Sequence, residues 1–501
     1  MADNLFSRIV QANPDPERNF ISPPGRTPLS YGDAFALGAR FAGVLTRHGT
    51  QPGDRVAVQV EKSPEALFLY LACLQVGAIY LPLNTDYTAG ELGYFASDAE
   101  PKVFICSPKA QEKIASFFPA DRILTLGDDG KTGTLMEEAQ PVPAQFSAAP
   151  LGMNDLAAIL YTSGTTGRSK GAMLSHGNLF SNAVSLIEAW RYSASDVLLH
   201  ALPIFHTHGL FVATNTTLLS SASMIFLPKF NPDAMIANLP GASVMMGVPT
   251  FYTRLLSDPR LGKDSTRNIR LFISGSAPLL AETHSEWQAR TGHAILERYG
   301  MTETNMNTSN PYDGIRRPGS VGFPLPGVEL RLADSDGNRV APGEIGMIEV
   351  RGPNVFSGYW RMAEKTAAAF RADGFFITGD LGTIDADGYV HIVGRGSDMI
   401  ITGGFNVYPK EVETLIDSLP GIEESAVVGL PHKDFGEGVT AFVITKAGTS
   451  LTEADIMTML NGQLAKFKLP KRVIILPELP RNTMGKVQKS LMRREYRDLY
   501  A

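Results

Sequence analysis

An apolar run, Leu156-Ala-Ala-Ile-Leu160, gives way to Tyr161-Thr-Ser-Gly-Thr-Thr-Gly-Arg-Ser-Lys170-Gly171. Those eleven residues hold three glycines, six hydroxyl or phenol side chains and a lysine. Such a junction reads as a strand ending in a loop too rich in glycine to continue as sheet or helix. The loop offers backbone N–H groups, hydroxyls and a cation to a polyphosphate. Its spacing, Gly164-x-x-Gly167-x-x-Lys170, is not that of a Walker A loop. Taken alone, the segment also fits a mobile Gly/Ser/Thr surface loop.

At 501 residues the chain is too long for one hydrophobic core, so two or more domains are expected. Its net charge of −6 argues against nucleic acid or an anionic membrane as the main partner. No apolar stretch approaches the ~20 residues that span a bilayer, and the first residues carry no signal-peptide pattern. Cys73 and Cys106 lie in apolar contexts and read as buried thiols of a reducing, cytoplasmic setting.

Short β-rich runs alternate with helical patterns. Residues 55–60 and 102–106 predict strands, and 64–74 predicts a mostly buried helix between them. Residues 223–227, 243–246 and 269–273 continue the strand series. This alternation favours an α/β fold with largely parallel sheets. From Pro318 to Gly394 the texture changes to short strands with frequent D-G pairs, predicting a small antiparallel sheet or distorted barrel. The last hundred or so residues read as a compact α+β unit with helices over 409–419 and 453–464. The boundary is placed near Arg395–Asp398, giving domains 1–396 and 397–501.

Further motifs follow in order. Tyr299-Gly-Met-Thr-Glu303 sets a hydroxyl and a carboxylate beside a glycine turn, and Thr378-Gly-Asp380 ends a strand with a carboxylate suited to ribose hydroxyls. Gly394-Arg395 lies at the boundary, and Pro480-Arg-Asn-Thr-Met-Gly-Lys486 delivers a lysine from a turn-rich loop. Singly, each has a plain reading as a helix cap, an Asx turn or a solvated lysine. Together, across nearly the whole chain, they resemble the acyl- or aryl-CoA synthetases of the adenylate-forming superfamily.

That resemblance implies a large N-terminal domain of mixed sheets flanked by helices, with a small barrel-like part, and a small mobile α+β C-terminal domain. It implies ATP, Mg²⁺ and coenzyme A, a small carboxylic acid substrate and an acyl-AMP intermediate. Thr162, Ser163, Gly164, Thr165, Thr166, Gly167 and Lys170 would wrap the phosphates, and Glu303 would hold Mg²⁺. Ser276, Ala277 and Pro278, with Arg298, Tyr299, Gly300, Met301 and Thr302, would line the adenine and α-phosphate. Asp380 would take the ribose hydroxyls beside Arg395, and Lys486 would meet the charge that develops in the first step. Asp398 matches the hinge about which Lys486 withdraws, bringing Gly403 and Gly404 to the thiol tunnel. The Lys486 motif also resembles a lysine acetylation site, which implies an acetyltransferase and a deacetylase as partners.

The acid is less marked. Pro203-Ile-Phe-His206-Thr-His208 matches the family's thiol gate, which assigns His206; a metal reading of His206-x-His208 lacks supporting cysteines or carboxylates. The acyl pocket is expected from residues 248–254 and 274–277, including Ser274 and Gly275. Arg254, about one turn into a helix opened by Pro249, is either a solvated arginine paired with Asp258 or a fork for a second carboxylate. The stretches 296–304 and 309–319 resemble the malonyl-CoA synthetase branch, which favours the fork and malonate, with methylmalonate tolerated. The alternatives are a medium-chain or aromatic acyl-CoA ligase, a carrier-protein-loading relative, and a nucleotide-binding pseudoenzyme.

Overall fold

The computed structural model describes residues 3–13, 15–162, 169–483 and 485–500. The chain divides into two compact units, Met1–Glu329 with Arg351–Gly374, and Leu330–Val350 with Phe375–Ala501. The fold is α/β, as the alternation predicts.

The first unit carries two sheets. Among the described residues one has nine strands. Its body is parallel, in the spatial order Leu296–Met301, Leu271–Ser274, Val244–Gly247, Val197–His200, Ser223–Phe226 and Asn19–Ser22. Antiparallel Asn305–Ser309 and Phe323–Pro324 extend one edge. Parallel strands covered on both faces must be apolar throughout rather than alternating, and Val244–Gly247 and Leu271–Ser274 are buried at every position.

The other sheet orders Gly358–Tyr359, Lys170–Ser175, Leu156–Thr162, Ile79–Pro82, Arg55–Gln59, Val103–Cys106 and Ile123–Thr125. The helix Pro64–Val76 is buried on all sides, as a helix apolar all round must be. Ser63 caps it by accepting the Ala66 N–H, and Gly77 ends it at φ 82°.

Leu156–Thr162 turns back into the antiparallel strand Lys170–Ser175, with Thr162 opposite Lys170. A Walker A loop would instead lead from strand to helix, so the topology agrees with the spacing argument. Ser163, Gly164, Thr165, Thr166 and Gly167 lie outside the described residues.

The second unit holds all but the end residues Glu329 and Arg351 of the small sheet expected between residues 318 and 394, formed by Glu329–Ala333, Gly346–Arg351, Phe376–Ile384 and Val390–Arg395. Its compactness groups this sheet with the C-terminal residues. The compact units divide at 329/330, 350/351 and 374/375, upstream of the boundary expected at 396/397. Beyond it, Ile422–His432 and Gly436–Thr445 form a long antiparallel pair, with Arg472–Ile475 parallel to the second strand. Val427, Val439, Ala441 and Val443 meet Val412, Ile416, Ile456 and Leu460 on one face. The alternate residues Ala426, Val428, Leu430 and Phe442 meet Met492 on the other, the two-residue period of a strand between helices. The helix expected over 453–464 stops at Leu460, because Asn461 turns extended and Gly462 follows at φ 81°. Among the described residues, no helix is long and apolar enough to cross a membrane.

Candidate active site

Lys170 opens the return strand of the hairpin, and its Nζ lies 4.1 Å from the centre of the Tyr359 ring. Tyr359 belongs to the short strand paired with Lys170–Ser175, and its phenol donates to Glu303 Oε1 at 3.0 Å. Glu303 is buried in the turn joining Leu296–Met301 to Asn305–Ser309. A Cβ at Gly300 would sit 1.8 Å from the Asn305 carbonyl oxygen, so this tight hairpin requires glycine there. The expected turn at Tyr299-Gly-Met-Thr-Glu303 is therefore present, with Tyr299, Met301 and Thr302 half-buried around it. Sequence reasoning missed Tyr359, which joins the loop's lysine to Glu303 across nearly two hundred residues of chain.

A second cluster gathers around Arg298. This residue sits on Leu296–Met301 at 4% exposure, and among the described residues its Nε and Nη2 have no hydrogen-bond partner. A Cβ at Gly275 would fall 2.4 Å from Arg298 Cζ, so the guanidinium lies where only glycine leaves room. Burial lowers its pKa to about 9, which still leaves it charged at neutral pH. Burial and then Arg298 push His206 down to about 4, and hold His208 well below its ordinary range. Both imidazoles are neutral at pH 7.

His208 Nδ1 is 3.2 Å from Ser276 Oγ, while His208 Nε2 and Ser274 Oγ are buried without partners among the described residues. Thr207 Oγ1 donates to Asn305 Oδ1 at 2.8 Å. Ser276 and Asn305 hold left-handed backbone at φ 71° and 52°, an uncommon state for residues with a Cβ and one that gathers at functional sites. Ala277 is half-buried and Pro278 exposed just beyond.

Arg254 stands apart from this cluster. The helix Pro249–Leu256 buries Phe251, Tyr252, Leu255 and Leu256, leaving Arg254 exposed on its outer face. The expectation that Arg254 lines the pocket is corrected by that helical phase. Its suggested partner Asp258 is taken by Arg260 instead.

The second unit gathers its own group. Asp380 faces Arg395 across an antiparallel pair, with Arg395 Nε 2.9 Å from Asp380 Oδ1 and Nη1 donating to the Thr378 carbonyl at 2.9 Å. Asp398 pairs with Arg493 at 2.8 Å. Lys486 is exposed as a residue, yet the protein packed about its ammonium and the charge of Arg395 lower its pKa against the pull of Asp380 and Asp398. Gly403 and Gly404, at φ 57° and 82°, make the exposed two-residue turn between Ile400–Thr402 and Phe405–Val407.

Residues 8–360 match the profile of the AMP-binding enzyme family, and residues 411–486 match that of the AMP-binding enzyme C-terminal domain. The chain belongs to the AMP-binding enzyme family. A feruloyl-CoA synthase from an Amycolatopsis species is 36% identical over 476 residues, covering 94% of this chain and 95% of that protein. The mitochondrial malonate–CoA ligase of Homo sapiens is 36% identical over 465 residues, covering 84% of this chain and 79% of the relative. The ATP-bound crystal structure of MatB from Rhodopseudomonas palustris is 59% identical over 100% of both chains, with a TM-score of 0.98. Kinship near 36% reaches enzymes named for quite different acids, so within this family the pocket itself must choose the substrate.

Proposed function

We propose that the chain is an AMP-forming acid–thiol ligase that joins malonate to coenzyme A, with methylmalonate tolerated as a second acid. A malonate carboxylate oxygen attacks the α-phosphorus of ATP; the bond to the β-phosphate oxygen breaks and pyrophosphate leaves. The thiol sulfur of coenzyme A then attacks the acyl carbon, the bond to AMP breaks, and the thiol proton passes to solvent. No side chain becomes covalently attached, so catalysis rests on positioning and charge stabilisation.

The observation that carries the dicarboxylate reading is the buried Arg298 guanidinium, against Gly275, whose Nε and Nη2 have no partner among the described residues. A monocarboxylate with an apolar tail would leave that charge buried and unpaired. The far carboxylate of malonate satisfies it. Arg298 thus takes the role that the sequence suggested for Arg254. The malonate–CoA ligase of Homo sapiens supports the same acid.

Lys170 and the hairpin loop hold the β- and γ-phosphates, while Ser276, Ala277, Pro278 and residues 299–302 line the adenine and α-phosphate. Asp380 binds the ribose hydroxyls with Arg395 beside it, and Lys486 meets the charge that builds on the reacting oxygens. Glu303 fits Mg²⁺: it is a buried carboxylate with one phenol donor, leaving hard oxygen lone pairs for the ion. When bound, Mg²⁺ neutralises triphosphate charge. Residues 203–209, with His206, gate the thiol's path to the acyl-adenylate. Residues 397–501 turn about Asp398 between the two steps, withdrawing Lys486 and presenting Gly403 and Gly404, whose missing side chains admit the pantetheine arm. Acetylation of Lys486 would remove the needed charge; mass spectrometry showing it unmodified under all growth states would count against that regulation. The two free buried thiols, Cys73 and Cys106, support a cytoplasmic setting.

The test is pyrophosphate release with MgATP and coenzyme A across malonate, methylmalonate, acetate, hexanoate and benzoate. Turnover confined to the two dicarboxylates is expected. Preference for hexanoate or benzoate refutes the assignment of Arg298 and favours the aromatic or medium-chain alternative.

A further inference from the structure

Lys62 is buried within the first unit and, among the described residues, has no carboxylate partner. Its Nζ lies 2.9 Å from His200 Nδ1, 2.9 Å from the His200 carbonyl oxygen, and 4.2 Å from the centre of the Phe226 ring. On the far side of the imidazole, His200 Nε2 is 2.9 Å from the Gly209 carbonyl oxygen. A carbonyl only accepts, so Nε2 carries the proton, Nδ1 accepts, and Lys62 donates. An amine with two hydrogens meets two acceptors here. The neutral form is fully satisfied, and burial depresses the lysine well below its ordinary pKa.

The relay ends on a tightly folded segment. Gly209 lies in the π-helical turn His208–Ala213, a rare form of helix that often marks a functional site. Its carbonyl also accepts from Thr214 Oγ1 at 3.0 Å, and Leu210 N–H donates to the His206 carbonyl at 2.9 Å. A Cβ at Gly209 would sit 2.1 Å from the Pro203 carbonyl oxygen, so the segment doubles back on this glycine. His206 and His208 are carried on that fold.

An amine that must give up its charge to be buried in this way costs a protein stability, and methionine, of similar length, would fill the space without that cost. A lysine placed here at that cost points to a role other than stability. We propose that Lys62 is a positioning residue: through His200 it fixes the Gly209 carbonyl, and with it the segment 203–209 past which the thiol reaches the acyl-adenylate. The inference rests on the reading of that segment as the gate.

The test compares Lys62→Met and His200→Phe with the parent chain, using whichever acid the parent turns over. ATP–pyrophosphate exchange without coenzyme A reports adenylation. Single turnover of pre-made acyl-AMP with varied coenzyme A reports the second step. Lys62→Met should lower thioester formation about tenfold or more while leaving exchange within about twofold, the scale of a misplaced reacting group. Its Tm should be equal to or higher than the parent's. His200→Phe should show the same loss, and the double variant no more than either alone, because the residues act as one unit. Equal falls in both half-reactions, an unchanged thioester step, or a lower Tm for Lys62→Met would assign a purely structural role and overturn the proposal. A parent that turns over no acid refutes the ligase reading itself, and does so before any variant is made.

Discussion

Replacing Arg298 with methionine separates function from stability at one position. Arg298 is 4% exposed, and two of its nitrogens have no partner among the described residues. A hydrogen bond to a charged group contributes about 1.5–3 kcal/mol, so two of them to one carboxylate give about 3–6 kcal/mol before that carboxylate's own desolvation. The expected loss in kcat/KM for malonate is about 3–4 kcal/mol, or roughly 200- to 1000-fold. The effect on folding has the opposite sign. Burial lowers the guanidinium pKa from its ordinary range to about 9, a penalty of about 5 kcal/mol. Below pH 9 both folded and unfolded chains are protonated, so the penalty is borne in full and without pH slope; above pH 9 it is progressively relieved as pH rises. Arg298→Met should therefore raise Tm while nearly abolishing malonate turnover and sparing acetate. Steady-state kinetics on both acids, with thermal unfolding of the same samples, makes the check. Equal losses on malonate and acetate, or a lower Tm, would refute the reasoning.

Lys486→Ala should cost about 3–4 kcal/mol in acyl-AMP formation and largely spare thioester formation from pre-made acyl-AMP; equal losses in the two half-reactions would contradict domain alternation. Gly275→Ala should raise the KM for malonate about tenfold or more, since its Cβ would meet Arg298 Cζ at 2.4 Å; an unchanged KM would separate Gly275 from the pocket. Arg481 donates to the Gly485 carbonyl at 2.7 Å and pairs with Glu424, pinning the turn that carries Lys486. Arg481→Gln should slow adenylation about tenfold with thioester formation intact, as resolved by the same two assays. Burial holds His206 and His176 near 4 when folded, whereas each titrates near 6.5 unfolded. Between pH 6.5 and 4 the unfolded chain binds protons that the folded chain refuses, so stability falls with pH by about 3 kcal/mol per imidazole. In urea titrations, His176→Gln should flatten that dependence by about one proton.

The sequence determined whatever depends on neighbours along the chain. The buried helix Pro64–Val76 announces itself by apolar residues on every side, and the strands Val103–Cys106 and Val244–Gly247 by short apolar runs. The order of motifs from Thr162 to Lys486 was enough to indicate the reaction class, because the chemistry of ATP demands particular residue types. Helical phase could also have warned against Arg254: Phe251, Tyr252, Leu255 and Leu256 mark the inner face, and Arg254 falls opposite. Arg298 carries no comparable local signal, since an arginine at a strand end reads the same whether its charge is solvated or buried. Only the tertiary structure lays it against Gly275 with no acid to pair with among the described residues. The same holds for Tyr359 beside Lys170 and Glu303, and for Lys62 behind His200 and Gly209. Periodicity and turn chemistry are local and can be read from order alone. Burial of a charge and the partners of a buried donor are set by residues far away in the chain, and exist only once the sheets have closed around them.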